Sequence, residues 1–226
     1  MENAKQHFDQ ISGEYDYWKK KNHYYHDTLK RLFREYIPEQ SRVWEIGCGT
    51  GDIIASLSPR GGLGEDISEG MITVAQEKYN HLPISFIARD IRDITDAQPY
   101  EYVILADVLE HVENQETFIT QLYTLAEPSA TIIITLANPF WEPLLMLAEK
   151  LHMKMPEGPH ERPSNESLSR MFKDAGFVLR EQGYRLLIPK PIWGADWVNA
   201  RFFRKPYLAK YGFVVYWVLT KQKTTK

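Results

Sequence analysis

The stretch VWEIGCGTGDI, residues 43–53, decides how this chain folds. Residues 42–46 predict a short buried strand, and a helix is predicted to open at Asp52. Glycines at 47, 49 and 51 lie between the two elements; they let the backbone turn sharply and let a ligand approach the main chain closely. The stretch therefore predicts a strand–loop–helix unit with a ligand at the loop.

Outward from this unit, predicted strands and helices alternate along the chain. Alternation predicts an α/β fold: a doubly wound sheet of about seven strands, mostly parallel, with helices on both faces and an antiparallel last strand. The two late strands would add the antiparallel edge. A loop near the site is expected at 153–165, and an insertion before the last strand is expected at 189–210. The predicted strands are 42–46, 62–66, 84–88, 102–106, 131–136, 177–184 and 213–219, and the predicted helices are 22–36, 52–57, 68–78, 115–125, 140–152 and 165–175.

Length and composition suit one globular domain, residues 1–226. The chain is 43% hydrophobic and 25% charged, with a mean hydropathy of −0.42. No apolar run reaches the length of a membrane span, and residues 1–7 lack the apolar segment of a secretory signal. The single cysteine, Cys48, excludes an intrachain disulfide. We therefore expect a cytoplasmic protein.

The net charge of −3 is unevenly distributed. Residues 185–226 hold nine Lys and Arg residues and one acidic residue, so the other 184 residues carry a net negative charge. An acidic main body argues against an extended nucleic-acid surface. The basic, aromatic-rich end has two interpretations: a core strand with a solvated rim, or a surface for an anionic or amphiphilic partner, including peripheral contact with a membrane.

The loop differs from the dinucleotide fingerprint. Its pattern is G-x-G-x-G preceded by Glu45, whereas NAD sites carry G-x-G-x-x-G with backbone amides facing a pyrophosphate. A carboxylate at the mouth of the loop would repel pyrophosphate and would suit a ligand with an ammonium or sulfonium group. The alternative is that Glu45 is buried and tied to backbone amides.

Four segments, in order, resemble the signatures of class I S-adenosylmethionine-dependent methyltransferases: 43–53, 64–71, 88–91 and 105–112. The last resembles the subgroup that includes ubiquinone-biosynthesis-type O-methyltransferases. The resemblance spans roughly residues 42–136 and implies a Rossmann-like fold. It also implies S-adenosylmethionine as cofactor and S-adenosylhomocysteine as product. It divides the chain into a helical lid (1–40), a cofactor-binding core (41–136) and substrate-side elements with the last strands (137–226).

The resemblance implies a set of cofactor-binding residues. Asp66, about 20 residues beyond the loop, would accept from both ribose hydroxyls, with Glu65 as the alternative. Asp90 would accept from the adenine amino group. Simpler interpretations are a helix cap for Asp66 and a strand end for Asp90. The full set is Glu45, Gly47, Cys48, Gly49, Gly51, Asp66, Ile67, Met71, Asp90, Ile91, Ala106 and Asp107, with Tyr15 and Tyr17 from the lid.

Methyl transfer from a sulfonium is an in-line displacement, so the protein mainly supplies alignment. A general base is needed where the nucleophile is poorly ionised. His111, after the fourth strand, and His160, in the loop before a predicted helix, are the candidates; each could instead be a structural histidine. Ala137 stands where metal-assisted catechol methylation would need a second acid beside Asn138, so no metal is expected.

The acceptor is predicted to be a small molecule with an apolar part and a negative group. This expectation rests on Trp193, Trp197, Arg201 and Arg204 in the insertion, since aromatic rings give apolar contact and Arg grips anions. Other readings stay open: a protein, peptide or nucleic-acid acceptor, or a non-catalytic protein that binds the cofactor. The sequence does not indicate an oligomeric state.

Overall fold

A computed structural model describes residues 2–96, 98–153, 155, 160, 162–190, 193–202 and 206–222. Its centre is a seven-stranded sheet in the order β3-β2-β1-β4-β5-β7-β6. The first five strands pair in parallel, and β7 pairs antiparallel with both β5 and β6. The strands are β1 Arg42–Ile46, β2 Gly61–Asp66, β3 Ile84–Ala88, β4 Tyr102–Ala106, β5 Thr131–Ala137, β6 Phe177–Arg185 and β7 Val214–Lys221. The predicted α/β fold, mostly parallel with an antiparallel last strand, is confirmed.

Helices cover both faces of the sheet. They are α1 Glu2–Ile11, α2 Tyr15–Lys21, α3 His23–Tyr36, α4 Asp52–Ser56, α5 Glu69–Tyr79, α6 Gln115–Leu125, α7 Glu142–Lys150, α8 Asn165–Asp174, α9 Ala195–Phe202 and α10 Pro206–Ala209. Short 3₁₀ turns lie at Ile91–Asp93, Leu109–His111 and Pro139–Trp141. None of the helices described is both long and apolar enough to cross a bilayer.

Two apolar layers sandwich the sheet because successive strand residues point to opposite faces. Trp44 belongs to one layer, which packs against α6 and α8. Val43 belongs to the other, which packs against α3, α4 and α5. β7 is buried from Val214 to Leu219, as its place between β5 and β6 requires. The sheet is thereby rigid where its strands end at the site.

Two predicted helix boundaries are confirmed by their hydrogen bonds. The Ser68 hydroxyl accepts from the Met71 amide at 3.1 Å and caps α5. Gly176 adopts φ +99° after α8, and its amide donates to the Lys173 carbonyl at 3.0 Å. Residues close to each helix end therefore determine where α5 begins and where α8 ends.

The insertion at 189–210 lies between β6 and β7, before the last strand as predicted, and it contains the short helices α9 and α10. Gly194 at φ +80° precedes α9, and Pro206 stands at the first position of α10, where a missing amide costs nothing. The prolines therefore separate short helices rather than exclude them.

Candidate functional site

The carboxyl ends of β1, β2, β3 and β4 open into one cavity of about 800 Å³. Ligands of open α/β sheets bind at this edge. The glycine loop, Asp66 and Asp90 line one part of it, and α7 lines another. Helices α2 and α3 contribute side chains to the same cavity, so it is a roofed space rather than an open groove.

The glycine loop is tightly folded. Gly47, Gly49 and Gly51 have φ values of +72°, +51° and +81°, a backbone region that side chains rarely adopt. A Cβ at Gly47 would lie 2.3 Å from Cγ2 of Val108. Cys48 between them is buried and lines the cavity, and burial raises the pKa of its thiol. Gly47 and Gly49 line the cavity, whereas Gly51 does not: a Cβ there would lie 2.8 Å from Cε1 of Phe86.

Glu45 is bonded to the backbone and also borders the cavity. It is buried, and its Oε2 accepts from the Ile54 amide at 3.0 Å, which holds the start of α4. It also lines the cavity. Burial raises the pKa of Glu45 to about 8, although the Ile54 amide and Lys19 act in the opposite direction. A cation placed beside it would favour its ionised form.

Asp66 and Glu65 end β2 and have different partners. Asp66 Oδ2 accepts from the Gly49 amide at 2.8 Å and Oδ1 from the Ser68 amide at 2.9 Å. Glu65 accepts from the Trp44 indole at 2.7 Å and forms an ion pair with Arg89. Both line the cavity and both are bonded to the glycine loop, Glu65 through its backbone carbonyl and Asp66 through its carboxylate.

The remaining predicted residues of the core also line the cavity: Ile67, Met71, Asp90, Ile91, Ala106 and Asp107. Asp90 accepts from the amide and guanidinium of Arg92, which lowers its pKa against the effect of burial. Asp107 has φ +57°, and its Oδ2 accepts from the Tyr25 hydroxyl at 2.6 Å. Tyr25 was not predicted as a site residue, because the sequence indicated only that it lies on the apolar face of the predicted helix 22–36.

The lid is attached to the glycine loop by ion pairs that the sequence did not reveal. Lys78 Nζ lies 2.6 Å from Asp16 Oδ2 and 2.9 Å from Asp52 Oδ1, and Lys19 pairs with the same two acids. Tyr15 lines the cavity. Tyr17 does not: it is 63% exposed and contacts Trp18. Helix α2 therefore closes over the loop through Tyr15 rather than Tyr17.

Asp52 makes this attachment pH-dependent. Burial alone would raise the pKa of Asp52, but Lys19, Tyr79 and Lys78 lower it. The ionised carboxylate therefore stabilises the fold, fully above an unfolded pKa of about 3.9 and progressively less below it. We expect Asp52→Asn to lower the Tm at pH 7 and the deficit to shrink toward about pH 3. Thermal unfolding with Glu77→Gln on exposed α5 surface as control would measure it; a pH-independent deficit would contradict it.

The two candidate histidines are neighbours. His111 lines the cavity, and its ring contacts Phe8 of α1 at 5.1 Å and His160 at 6.4 Å between centroids. His160 Nε2 lies 3.1 Å from Glu142 Oε1.

Arg162, which sequence reasoning missed, connects the segments that carry the histidines. Its side chain is 3% exposed. Its Nε donates to Glu110 Oε2 at 2.6 Å and its Nη1 donates to Glu142. Glu110 directly precedes His111, and Glu142 holds His160, so the arginine fixes both rings relative to each other. No group of three or more His, Cys, Asp and Glu side chains suited to a metal ion occurs in the described part of the chain.

The two tryptophans predicted to contact the acceptor lie outside the cavity. Trp193 is fully exposed and Trp197 is 59% exposed, and neither lines the cavity. Arg204 and the side chain of Arg201 lie outside what the structure describes. From this region Pro189 and Lys190 reach the cavity instead. The facing wall comes from α7, none of whose residues was singled out from the sequence, and from Met153 and Met155 of the loop that was expected near the site.

Comparison with known proteins agrees with this geometry. A family model described as a methyltransferase domain matches residues 17–182. The chain is 25% identical over 171 residues, 71% of its length, to a malonyl-[acyl-carrier protein] O-methyltransferase of Priestia megaterium. It is 26% identical over 151 residues, 62% of its length, to a ubiquinone biosynthesis O-methyltransferase of Bradyrhizobium diazoefficiens. These matches span 62% and 60% of the relatives' own lengths, less than two thirds of either.

Among solved structures, the fold resembles a SAM-dependent methyltransferase of Thermotoga maritima, described as a possible histamine N-methyltransferase. The TM-score is 0.72 at 16% identity, with 97% of this chain and 100% of that one covered. The family match covers most of the chain and includes the glycine loop, Asp66 and the segment after β4. The chain belongs to the methyltransferase-domain family, within the class I S-adenosylmethionine-dependent methyltransferases.

Proposed function

We propose that this chain transfers a methyl group from S-adenosylmethionine to the oxygen of a small-molecule acceptor that has apolar and anionic character. One observation carries the proposal: a single cavity is lined by the glycine loop, by Asp66 and by His111. A candidate cofactor site and a candidate proton acceptor therefore share one cavity. When bound, the cofactor supplies an electrophilic methyl group on a positively charged sulfur.

The residues present fit this cofactor. A Cβ at Gly49 would point at Tyr15, 3.3 Å from its Cε1, so the glycine keeps open the gap between loop and lid. Asp66 would hold the ribose and Asp90 the adenine amino group. Glu45, whose pKa is raised in its buried position, would gain stability from a nearby cation. We propose the division into lid (1–40), core (41–136) and substrate side (137–226) on the same basis.

The protein's own contribution is alignment, exclusion of water and movement of one proton. Phe8 and Tyr15 bring the lid to the cavity, and the Lys19 and Lys78 ion pairs hold α2 on the loop. His111 would accept the hydroxyl proton of the acceptor at a ring nitrogen, and His160 would orient it. Names of the curated relatives support oxygen as the nucleophile, since both are O-methyltransferases.

A binding panel tests the proposal at the cofactor level. Isothermal titration should show micromolar binding of S-adenosylmethionine and S-adenosylhomocysteine and much weaker binding of NAD. Asp66→Ala should weaken cofactor binding by about 1–3 kcal/mol, because the Gly49 and Ser68 amides and the ribose lose their acceptor. Glu77→Ala, an exposed acid on α5, is the matched control. Tight NAD binding, or unchanged affinity in folded Asp66→Ala, would refute the assignment.

A further inference from the structure

One end of the cavity gathers lysines where three segments meet. Lys20, near the end of α2, and Lys190, after β6, both line the cavity. Lys190 Nζ donates to Asn22 Oδ1 at 2.8 Å, which brings the two segments together. Lys21 Nζ donates to the His152 carbonyl at 2.9 Å, so the chain leaving α7 arrives at the same place.

The positive charge at this end is not balanced by the protein. Neither Lys20 nor Lys190 forms an ion pair with an acidic residue among those that the structure describes, whereas Lys19 and Lys78 beside the glycine loop are each paired with two aspartates. Burial and the neighbouring Lys21 lower the pKa of Lys190. An anion bound here would stabilise the ammonium groups that the fold leaves uncompensated.

The wall of the cavity formed by α7 and Leu151 is apolar and half exposed. Leu144, Leu147 and Leu151 recur at helical spacing, so they share one face of α7 and its continuation. All three line the cavity and are 50%, 51% and 59% exposed. No residue of α7 is buried, which is unusual for so apolar a helix. Covering such a face with a ligand's hydrocarbon is favourable by roughly 25 cal/mol per Å².

Resting on the proposed methyl transfer, we propose that the acceptor is an anionic amphiphile whose carboxylate or phosphate lies between Lys20 and Lys190 and whose hydrocarbon part lies along Leu144, Leu147 and Leu151. Lys190 belongs to the insertion from which the sequence predicted an acceptor of this kind, and α2 and α7 supply the other residues of the subsite.

Titration of the protein saturated with S-adenosylhomocysteine tests this subsite. The probes are dodecanoate, dodecyl phosphate, dodecanol and dodecylammonium, each below its micelle concentration. We expect both anions to bind at least about tenfold more tightly than dodecanol, the effect of one charge-assisted contact, and dodecylammonium to bind least. A preference for only one of the two anions identifies the head group.

Variants assign the effect to residues. Lys20→Gln with Lys190→Gln should remove the preference for anions but leave dodecanol affinity within about twofold, because the apolar wall is intact. Leu147→Asp should weaken all four probes. Lys173→Gln on exposed α8 is the matched control.

Equal affinity of the wild type for dodecanoate and dodecanol would overturn the proposal, as would an anion preference that survives in the double variant. Binding to vesicles of anionic lipid without binding to any free amphiphile would also overturn it and assign the surface to a membrane. Affinity for S-adenosylhomocysteine is measured in every variant. If the wild type does not bind S-adenosylhomocysteine, the proposed function is contradicted. If it binds S-adenosylhomocysteine but shows no selectivity among the amphiphiles, only the subsite is contradicted.

Discussion

Replacing Gly49 by valine is expected to raise the dissociation constant for S-adenosylmethionine by about a hundredfold or more. Two effects combine. Gly49 has φ +51°, where a β-branched residue costs roughly 1–3 kcal/mol. Its Cβ would also stand 3.3 Å from Tyr15 Cε1, so the two methyl groups would enter the gap between loop and lid. The free variant relieves this strain by relaxing its loop, so binding must restore the strained backbone; with the steric block this amounts to about 2.7 kcal/mol or more, a hundredfold in affinity.

The matched control is Gly61→Val at the start of β2. A Cβ at Gly61 meets nothing within 4 Å, and a β-branched residue suits a strand. Calorimetry should therefore give wild-type cofactor affinity for this variant. Thermal unfolding reports whether the Gly49 variant is folded. Wild-type affinity in a folded Gly49→Val protein would place the cofactor away from the loop and would require another site.

The sequence predicted those parts of the molecule that are determined by residues close together in the chain. The glycine loop and its flanking strand and helix sit within 43–53, and the Ser68 cap lies within three residues of its partner. Parallel pairing follows from the alternation of strands and helices. A helix that crosses over the sheet returns the chain to the same edge, so that the next strand runs in the same direction as the last. The α/β fold and the location of the cavity needed no further information.

The parts that the sequence did not predict depend on contacts between distant residues. Arg162 meets Glu110 across 52 positions, and Lys19 meets Asp52 across 33. The residues around Arg162 and Lys19 do not indicate that these side chains are paired, because a charged residue at either position is equally consistent with a solvated surface. Trp193 was predicted to contact the acceptor from residue type alone, but its placement depends on where α9 packs. Residue type indicated the kind of acceptor, and only the fold indicates which side chains face it.

Replacing His111 by asparagine is expected to lower kcat by about 10²–10⁴ with cofactor affinity within about twofold of wild type. His111 is the candidate base that lines the cavity, and Phe8 from the lid packs edge-on against its ring. The ring of His160 packs against the ring of His111, and its Nε2 is hydrogen-bonded to Glu142. We therefore expect His160→Asn to reduce kcat less than His111→Asn does, because it acts by orienting the other ring.

The pH dependence separates proton transfer from alignment. A lost general base matters only while the acceptor hydroxyl is protonated, so kcat of His111→Asn should rise with pH toward the acceptor's own pKa, roughly 10 for a phenol. Methyl transfer is measured with labelled S-adenosylmethionine on an acceptor found by screening anionic amphiphiles. His81→Asn, on the exposed turn before β3, is the control. A loss below about tenfold in both folded histidine variants, with no alkaline recovery, would mean that alignment alone drives the reaction, as an in-line displacement on an already ionised nucleophile allows.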